Sequence, residues 1–340
     1  MIVKNINKIT IKTKKALSAN DYFNGIKKGN RAILSKAITL IESTSFQHQK
    51  IAEKLIELCL PFSGRSVRIG VTGIPGVGKS TFIEALGIYL IDKKNKKVAV
   101  LAIDPSSKKS GGSILGDKTR MNKLSINDNA FIRPSPSSGA LGGVAKATRE
   151  TTILCEAAGY DTILIETVGV GQSEIEVKSM VDFFLLLMIA GAGDELQGIK
   201  RGIMEIADAV IINKADGENI HNTKLAIQEY KNALHLFPAN KNGWIPKTAS
   251  CSAIESKNID TTWDIIESFV NHTTINNSFL ENRKEQAKFW LEHTINSSLT
   301  TLFYTDKNIT IKLKIFEKKV MQGEISPFKA AKELMEIFKS

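Results

Sequence analysis

The run Gly73-Ile-Pro-Gly-Val-Gly-Lys-Ser80 constrains what this chain can fold into more than any other feature. It matches G-x-x-x-x-G-K-[ST] in full, and it stands between a β-branched run, "VRIGVTG", and a helix-forming run, "TFIEAL". Glycines at these steps let the backbone wrap phosphate with its N–H groups exposed, and the following helix N-terminus adds favourable partial charge. The cradle comprises Gly73, Ile74, Pro75, Gly76, Val77, Gly78, Lys79, Ser80 and Thr81. Lys79 is placed to reach the β- and γ-phosphates, and the Ser80 hydroxyl to ligate Mg²⁺. The bland alternative is an ordinary strand-to-helix turn, and the correct context on both sides weighs against it.

From Val67 onward, short apolar runs alternate with helical stretches: "VRIGVTG", "KVAVLAID", "DTILIET", "DFFLLLMIA" and "DAVIINK", with a weaker "WIPKTAS" after them. Continuous rather than alternating apolar runs mean strands buried on both faces. The fold class is therefore α/β, a mostly parallel central sheet with helices on both faces. Residues 21–60 hold two helical patterns, Ile33–Ser43 and His48–Leu60, and helical patterns return after about Ile259. The expected division is an N-terminal helical extension over 1–62, a nucleotide domain over 63–275 and a C-terminal helical region over 276–340.

"NKAD" (Asn213–Asp216) ends the strand "DAVIINK" and suggests which base the loop serves. A carboxylate at Asp216 accepts two hydrogen bonds from the N1–H and N2–H₂ of guanine. Adenine sets an acceptor against it, and a buried mismatch of that kind is costly. Asn213 and Lys214 brace the loop and flank the base, while "SAI" (Ser252–Ile254, with Ala253 between) supplies a second contact. Alone, N-K-x-D reads equally well as a strand-ending turn; below a complete phosphate loop it points to GTP/GDP. For Mg²⁺ the candidates are Ser80, Asp104, Asp117 and Glu166, although Asp104 and Asp117 also suit a helix cap or a turn. "ETVGVGQ" puts Glu166 where most GTPases carry aspartate, and Gly169 can offer its N–H to the γ-phosphate. Val170 occupies the place where Ras-like enzymes hold a water-orienting glutamine. Slow intrinsic hydrolysis, completed by a partner, is the expectation.

The 46 Lys+Arg against 35 Asp+Glu give +11, scattered through turns such as "DKKNKK" without interleaved aromatics. That is a solvated surface suited to an anionic ligand or partner, and it argues against nucleic acid. Cys59, Cys155 and Cys251 show no paired spacing, which fits a reducing cytoplasm. The longest apolar run is too short to span a bilayer, and the basic N-terminus lacks an apolar signal core, so no membrane association is expected.

Taken together, "GIPGVGKST", "AIDPSSKKSGGSILGDKTRM", "FIRPSPSSGALGGVAKATRET", "ETVGVGQSE", "GAGDELQGIKRGIMEIADAVIINKAD" and "SAIE" resemble the ArgK/MeaB family. These are G proteins associated with methylmalonyl-CoA mutase, sometimes labelled LAO/AO transport ATPases or kinases. The resemblance runs from about Tyr22 to Leu299. It implies a P-loop NTPase core of the SIMIBI class, the signal-recognition and metallochaperone group, flanked by helical extensions that build a homodimer. It also implies a chaperone whose GTP cycle gates adenosylcobalamin loading on the mutase, or a related acyl-CoA mutase, and protects it. Glu166 is normal for this family. The stretch "GAGDELQGIKRG" (Gly191–Gly202) reads as a pliable surface loop; by resemblance it is a mobile switch in which Lys200 or Arg201 supplies charge to the phosphates. The catalytic candidates are thus Lys79, Glu166 and Lys200. A nickel-loading GTPase, a transport-linked kinase and a scaffold without turnover are the rival readings. The first lacks a His- or Cys-rich segment, the second shows no phosphoacceptor pocket, and the third is at odds with intact Lys79, Ser80 and Glu166. Apolar stripes in "FWLEHTI" and "LMEIFK" fit either a homodimer contact or packing on the core.

Overall fold

The computed structural model describes residues 17–104, 121–136, 141–167, 173–191, 201–238 and 240–339. Seven strands form one sheet: β1 Val67–Gly73, β2 Val98–Asp104, β3 Ala130–Pro136, β4 Thr162–Glu166, β5 Phe183–Ile189, β6 Ala209–Asn213 and β7 Lys247–Ser250. Their order is β3-β2-β4-β1-β5-β6-β7, and every pairing among the described residues is parallel. The apolar runs account for this. Phe183 to Met188 of β5 are fully buried, as strands covered by helices on both faces must be.

β1 sits between β4 and β5, so the chain builds the sheet first to one side of β1 and then to the other. That reversal opens a crevice at the carboxyl ends of the strands, where open α/β sheets take their ligands. Register fixes what reaches that edge. Val71 of β1 lies opposite Glu166 of β4, Gly73 opposite Leu187, and Ile189 of β5 opposite Asn213 of β6.

β3 was not among the strands expected from the apolar runs, because "AFIRPSP" carries two prolines. It forms the sheet edge and, among the described residues, pairs only with β2, where a missing N–H costs no ladder bond. A further helix, Ala19–Lys27, precedes the two that the periodicity shows. Ser18 caps it, accepting from the Asp21 N–H while Asp21 accepts from the Ser18 N–H. It packs with helices Arg31–Ile41 and Phe46–Cys59, and all three contact helix Leu141–Ala157.

The chain divides into two compact units, 1–239 with 245–268, and 240–244 with 269–340. The second is helical, with Ser278–Thr305, Lys307–Met321 and Pro327–Lys339, and its small core holds Trp290, Ile309, Ala330 and Leu334. Among the described residues no helix is long and apolar enough to cross a membrane.

The entry into β1 is fixed by one buried carboxylate. Glu156, on helix Leu141–Ala157, accepts from Gly64 N (2.6 Å), Ser66 Oγ (2.5 Å), and Arg68 Nε and a terminal guanidinium nitrogen (2.9 and 3.0 Å). Burial alone would push its pKa up, but the Arg68 charge and these hydrogen bonds outweigh it and hold the carboxyl below the usual glutamate value. A depressed folded-state pKa stabilises the protein above the ordinary value of 4.5, and that contribution is lost as pH falls through the folded-state value. Glu156→Ala is expected to lower unfolding free energy by about 3 kcal/mol at neutral pH by stranding Arg68. In urea melts the gap from wild type should narrow in acid; a gap independent of pH would contradict the assignment.

Candidate nucleotide-binding site

The phosphate loop leaves β1 at Gly73 and enters helix Lys79–Lys94 at Gly78. Gly76 and Gly78 hold φ of 79° and 90°, left-handed values that side chains disfavour. A Cβ on Gly73 would strike the Leu187 carbonyl oxygen, so β5 closes the loop from beside it. Ile74 and Val77 are buried, pinning the loop from inside, whereas Pro75, Gly76 and Thr81 face solvent.

Lys79 lies back along the loop, its Nζ donating to the carbonyls of Gly73 (2.8 Å) and Ile74 (3.3 Å). Burial pushes its ammonium below the usual lysine range, while the charges of Glu166 and Glu174 push back. Glu174, almost wholly buried on helix Ser173–Lys178, is a neighbour that sequence reasoning missed. Its only signal was an acid placed just beyond the "ETVGVGQ" run. Ser80 Oγ donates to Glu166 Oε1 at 3.0 Å, so these two candidate Mg²⁺ ligands converge. Behind them Thr167 Oγ1 donates to Thr72 Oγ1 at 2.8 Å, a buried hydroxyl pair joining the ends of β4 and β1. A lone threonine late in each apolar run was the available clue.

At the end of β6, Asn213 is 1% exposed and fully engaged. Its Nδ2 donates to Val77 O at 2.9 Å, and its Oδ1 accepts from Ala253 N at 3.1 Å and from the Cys251 thiol at 3.5 Å. One amide thus ties the phosphate loop to the Ser252–Ile254 loop. Burial, helped by the Asp216 charge, pushes that thiol up to about 12 and keeps it protonated. Lys214 takes φ of 58° and lies exposed, turning the chain so that Asp216 comes up beside Ser252. Buried Ser252 donates its hydroxyl to Asp216 Oδ2 and accepts the Glu255 N–H at 3.2 Å. Ser252, expected from the sequence as a base contact, thus also orients the Asp216 carboxylate. Ala253 is buried and Ile254 is 76% exposed.

Backbone position puts Asp104 at the carboxyl end of β2, two residues past Ala102, which pairs with Glu166. Asp117, Gly169 and Lys200 lie outside the described residues, as do Val170 and most of the Gly191–Gly202 loop, and the Arg201 side chain is likewise undescribed. Among the described residues no three His, Cys, Asp or Glu side chains gather into a metal cage. The converging hydroxyl and carboxylate of Ser80 and Glu166 are hard oxygen donors that fit Mg²⁺, which takes its remaining ligands from phosphate and water.

Against this geometry, the family model described as methylmalonyl Co-A mutase-associated GTPase MeaB matches residues 34–308. The chain belongs to the MeaB family. Its relatives include the GTPase ArgK of Escherichia coli, 44% identical over 93% of this chain and 95% of that protein. The mouse methylmalonic aciduria type A homolog, mitochondrial, is 44% identical over 94% of this chain and 79% of that protein. A crystal structure of an LAO/AO transport system kinase superposes with a TM-score of 0.76 at 36% identity, covering 99% of this chain and 100% of that one. For a MeaB-family GTPase the core is a P-loop fold with helical extensions, as read from the loop and strands.

A Cβ on Gly78 would lie 2.9 Å from Asn213 Nδ2, on top of the φ penalty. Gly78→Ala is therefore expected to weaken guanine-nucleotide binding by about tenfold or more, the equivalent of roughly 1.4 kcal/mol, and to lower the melting temperature by a few degrees without unfolding the chain. Calorimetry returning wild-type affinity would show that the loop does not need this conformation.

Proposed function

We propose that this chain binds GTP at the carboxyl edge of the sheet and hydrolyses it slowly alone and faster when docked on methylmalonyl-CoA mutase. In this reading the cycle is a chaperone's: it gates adenosylcobalamin loading on the mutase and protects the mutase from inactivation. The family's own description, mutase-associated GTPase, supports the pairing of a GTPase with the mutase, and the gating and protection are what the resemblance to the family implies. Adenosylcobalamin belongs to the partner, and this chain meets it only through the mutase.

The residues divide the work. Asp216, held by Ser252, faces the donor pair of guanine, and Ile254 flanks the base. The loop N–H groups and Lys79 take the phosphates, Lys79 exchanging its carbonyl partners for them. Ser80 and Glu166, with Asp104 and Asp117, would hold Mg²⁺, which would supply positive charge to offset that of the phosphates. Gly169 donates its N–H to the γ-phosphate. Val170 orients no water, so turnover waits for a charge delivered by Lys200 or Arg201 once the mutase docks.

A homodimer is part of the proposal. Leu291, Ile295, Leu299 and Leu302 follow one face of helix Ser278–Thr305 and are 62%, 49%, 55% and 59% exposed. A second copy covering that stripe accounts for it better than solvent does. The division into 1–62, 63–275 and 276–340 is kept as the functional division, with the last region as the dimer arm, and the cytoplasm as its place of action.

Single-turnover GTP hydrolysis with and without purified mutase tests this reading. Stimulation by the mutase is expected for wild type. Lys200→Ala and Arg201→Ala, made separately, should keep basal turnover and GTP affinity, with at least one losing most of the stimulation. No stimulation of wild type would refute the coupling, and full stimulation of both variants would refute the charge-delivery step.

A further inference from the structure

Helix Lys307–Met321 has an outer face that the nucleotide site does not use. Its inner face is apolar: Ile309 is fully buried, and Leu313, Phe316 and Val320 are half-buried, where it packs on helices Ser278–Thr305 and Pro327–Lys339. Helical spacing sets Lys307, Lys314 and Lys318 in a row on the opposite side, with Ile311 and Ile315 beside them and Lys312 and Lys319 beyond. All seven are exposed, Ile311 at 63% and Ile315 at 46%. The helix carries one acid, Glu317, and the spacing turns it toward the Leu313 side. Lys312, Lys314 and Lys318 join no ion pair among the described residues.

We propose that this lysine-and-isoleucine face docks an acidic, partly apolar surface of the partner protein, which on the reading above is the mutase. Charge decides among the occupants. A second copy meeting this face across a two-fold axis would set lysine against lysine. A lipid surface needs a broad apolar side to bury, and here the apolar side is turned inward. Base readout and single-strand stacking call on arginine forks and aromatic rings, and the exposed apolar groups of this helix are Ile311, Ile315 and Met321, none of them aromatic. Two branched side chains framed by five ammonium groups suit a protein surface that offers carboxylates around an apolar patch. Such a face acts mainly on the rate of encounter and on its salt dependence.

The test is association of the full-length chain with purified methylmalonyl-CoA mutase from the same organism, followed by stopped-flow or biolayer interferometry across ionic strength. The double variant Lys314→Glu/Lys318→Glu is expected to associate at least about tenfold more slowly at low salt and to lose the salt dependence. Lys314→Arg/Lys318→Arg should behave as wild type, and basal GTP turnover and light-scattering mass should not change in either. Equal association by wild type and the glutamate variant would overturn the docking face alone. So would a changed mass, which makes it a contact between copies, or loss of binding only to phosphatidylserine vesicles. A wild-type chain that does not bind the mutase would overturn the partner reading and this face with it.

Discussion

Three hydrogen bonds to the Asn213 side chain hold the two halves of the site in one frame. The amide nitrogen grips Val77 in the phosphate loop, and the amide oxygen collects Ala253 and Cys251 from the loop after β7. Each partner is buried, so breaking the set leaves polar groups stranded at about 1–3 kcal/mol apiece. On the proposed reading, phosphates and base are recognised by loops far apart in sequence, and a nucleotide has a fixed length. The spacing between those loops must therefore be rigid, and this amide is what makes it so.

The sheet makes that arrangement possible. Because every pairing among the described strands is parallel, all of their carboxyl ends face one edge, and Gly73, Glu166, Asn213 and Ser250 arrive there together. Glycines at 73, 76 and 78 meet the same need locally, since β5 and Asn213 leave no room for side chains at the first and last. The fold and the site thus follow from one constraint: backbone N–H groups must approach an anion closely on one side while the core stays closed on the other.

Much of this was legible in the sequence. Unbroken apolar runs such as "FFLLLMI" state double-sided burial, and the loop motif with N-K-x-D names the ligand class, because both are local patterns. What escaped was set by place in the sheet or by contact across it. β3 hides behind its prolines because only an edge strand tolerates them. The Ser252–Asp216 bond joins residues 36 apart, the Thr72–Thr167 pair residues 95 apart, and no periodicity reports either. Burial of Glu174 beside the loop was equally invisible, since an acid after a glycine-rich run reads as a helix start.

In the proposed site this edge selects guanine through Asp216 while the loop holds the phosphates. Calorimetric titration of the wild-type chain with GTP and with ATP, each with Mg²⁺, tests it most directly. GTP is expected to bind at least about a hundredfold more tightly, because a half-buried carboxylate meets two donors in one base and an acceptor in the other. Equal affinities for the two nucleotides would contradict it.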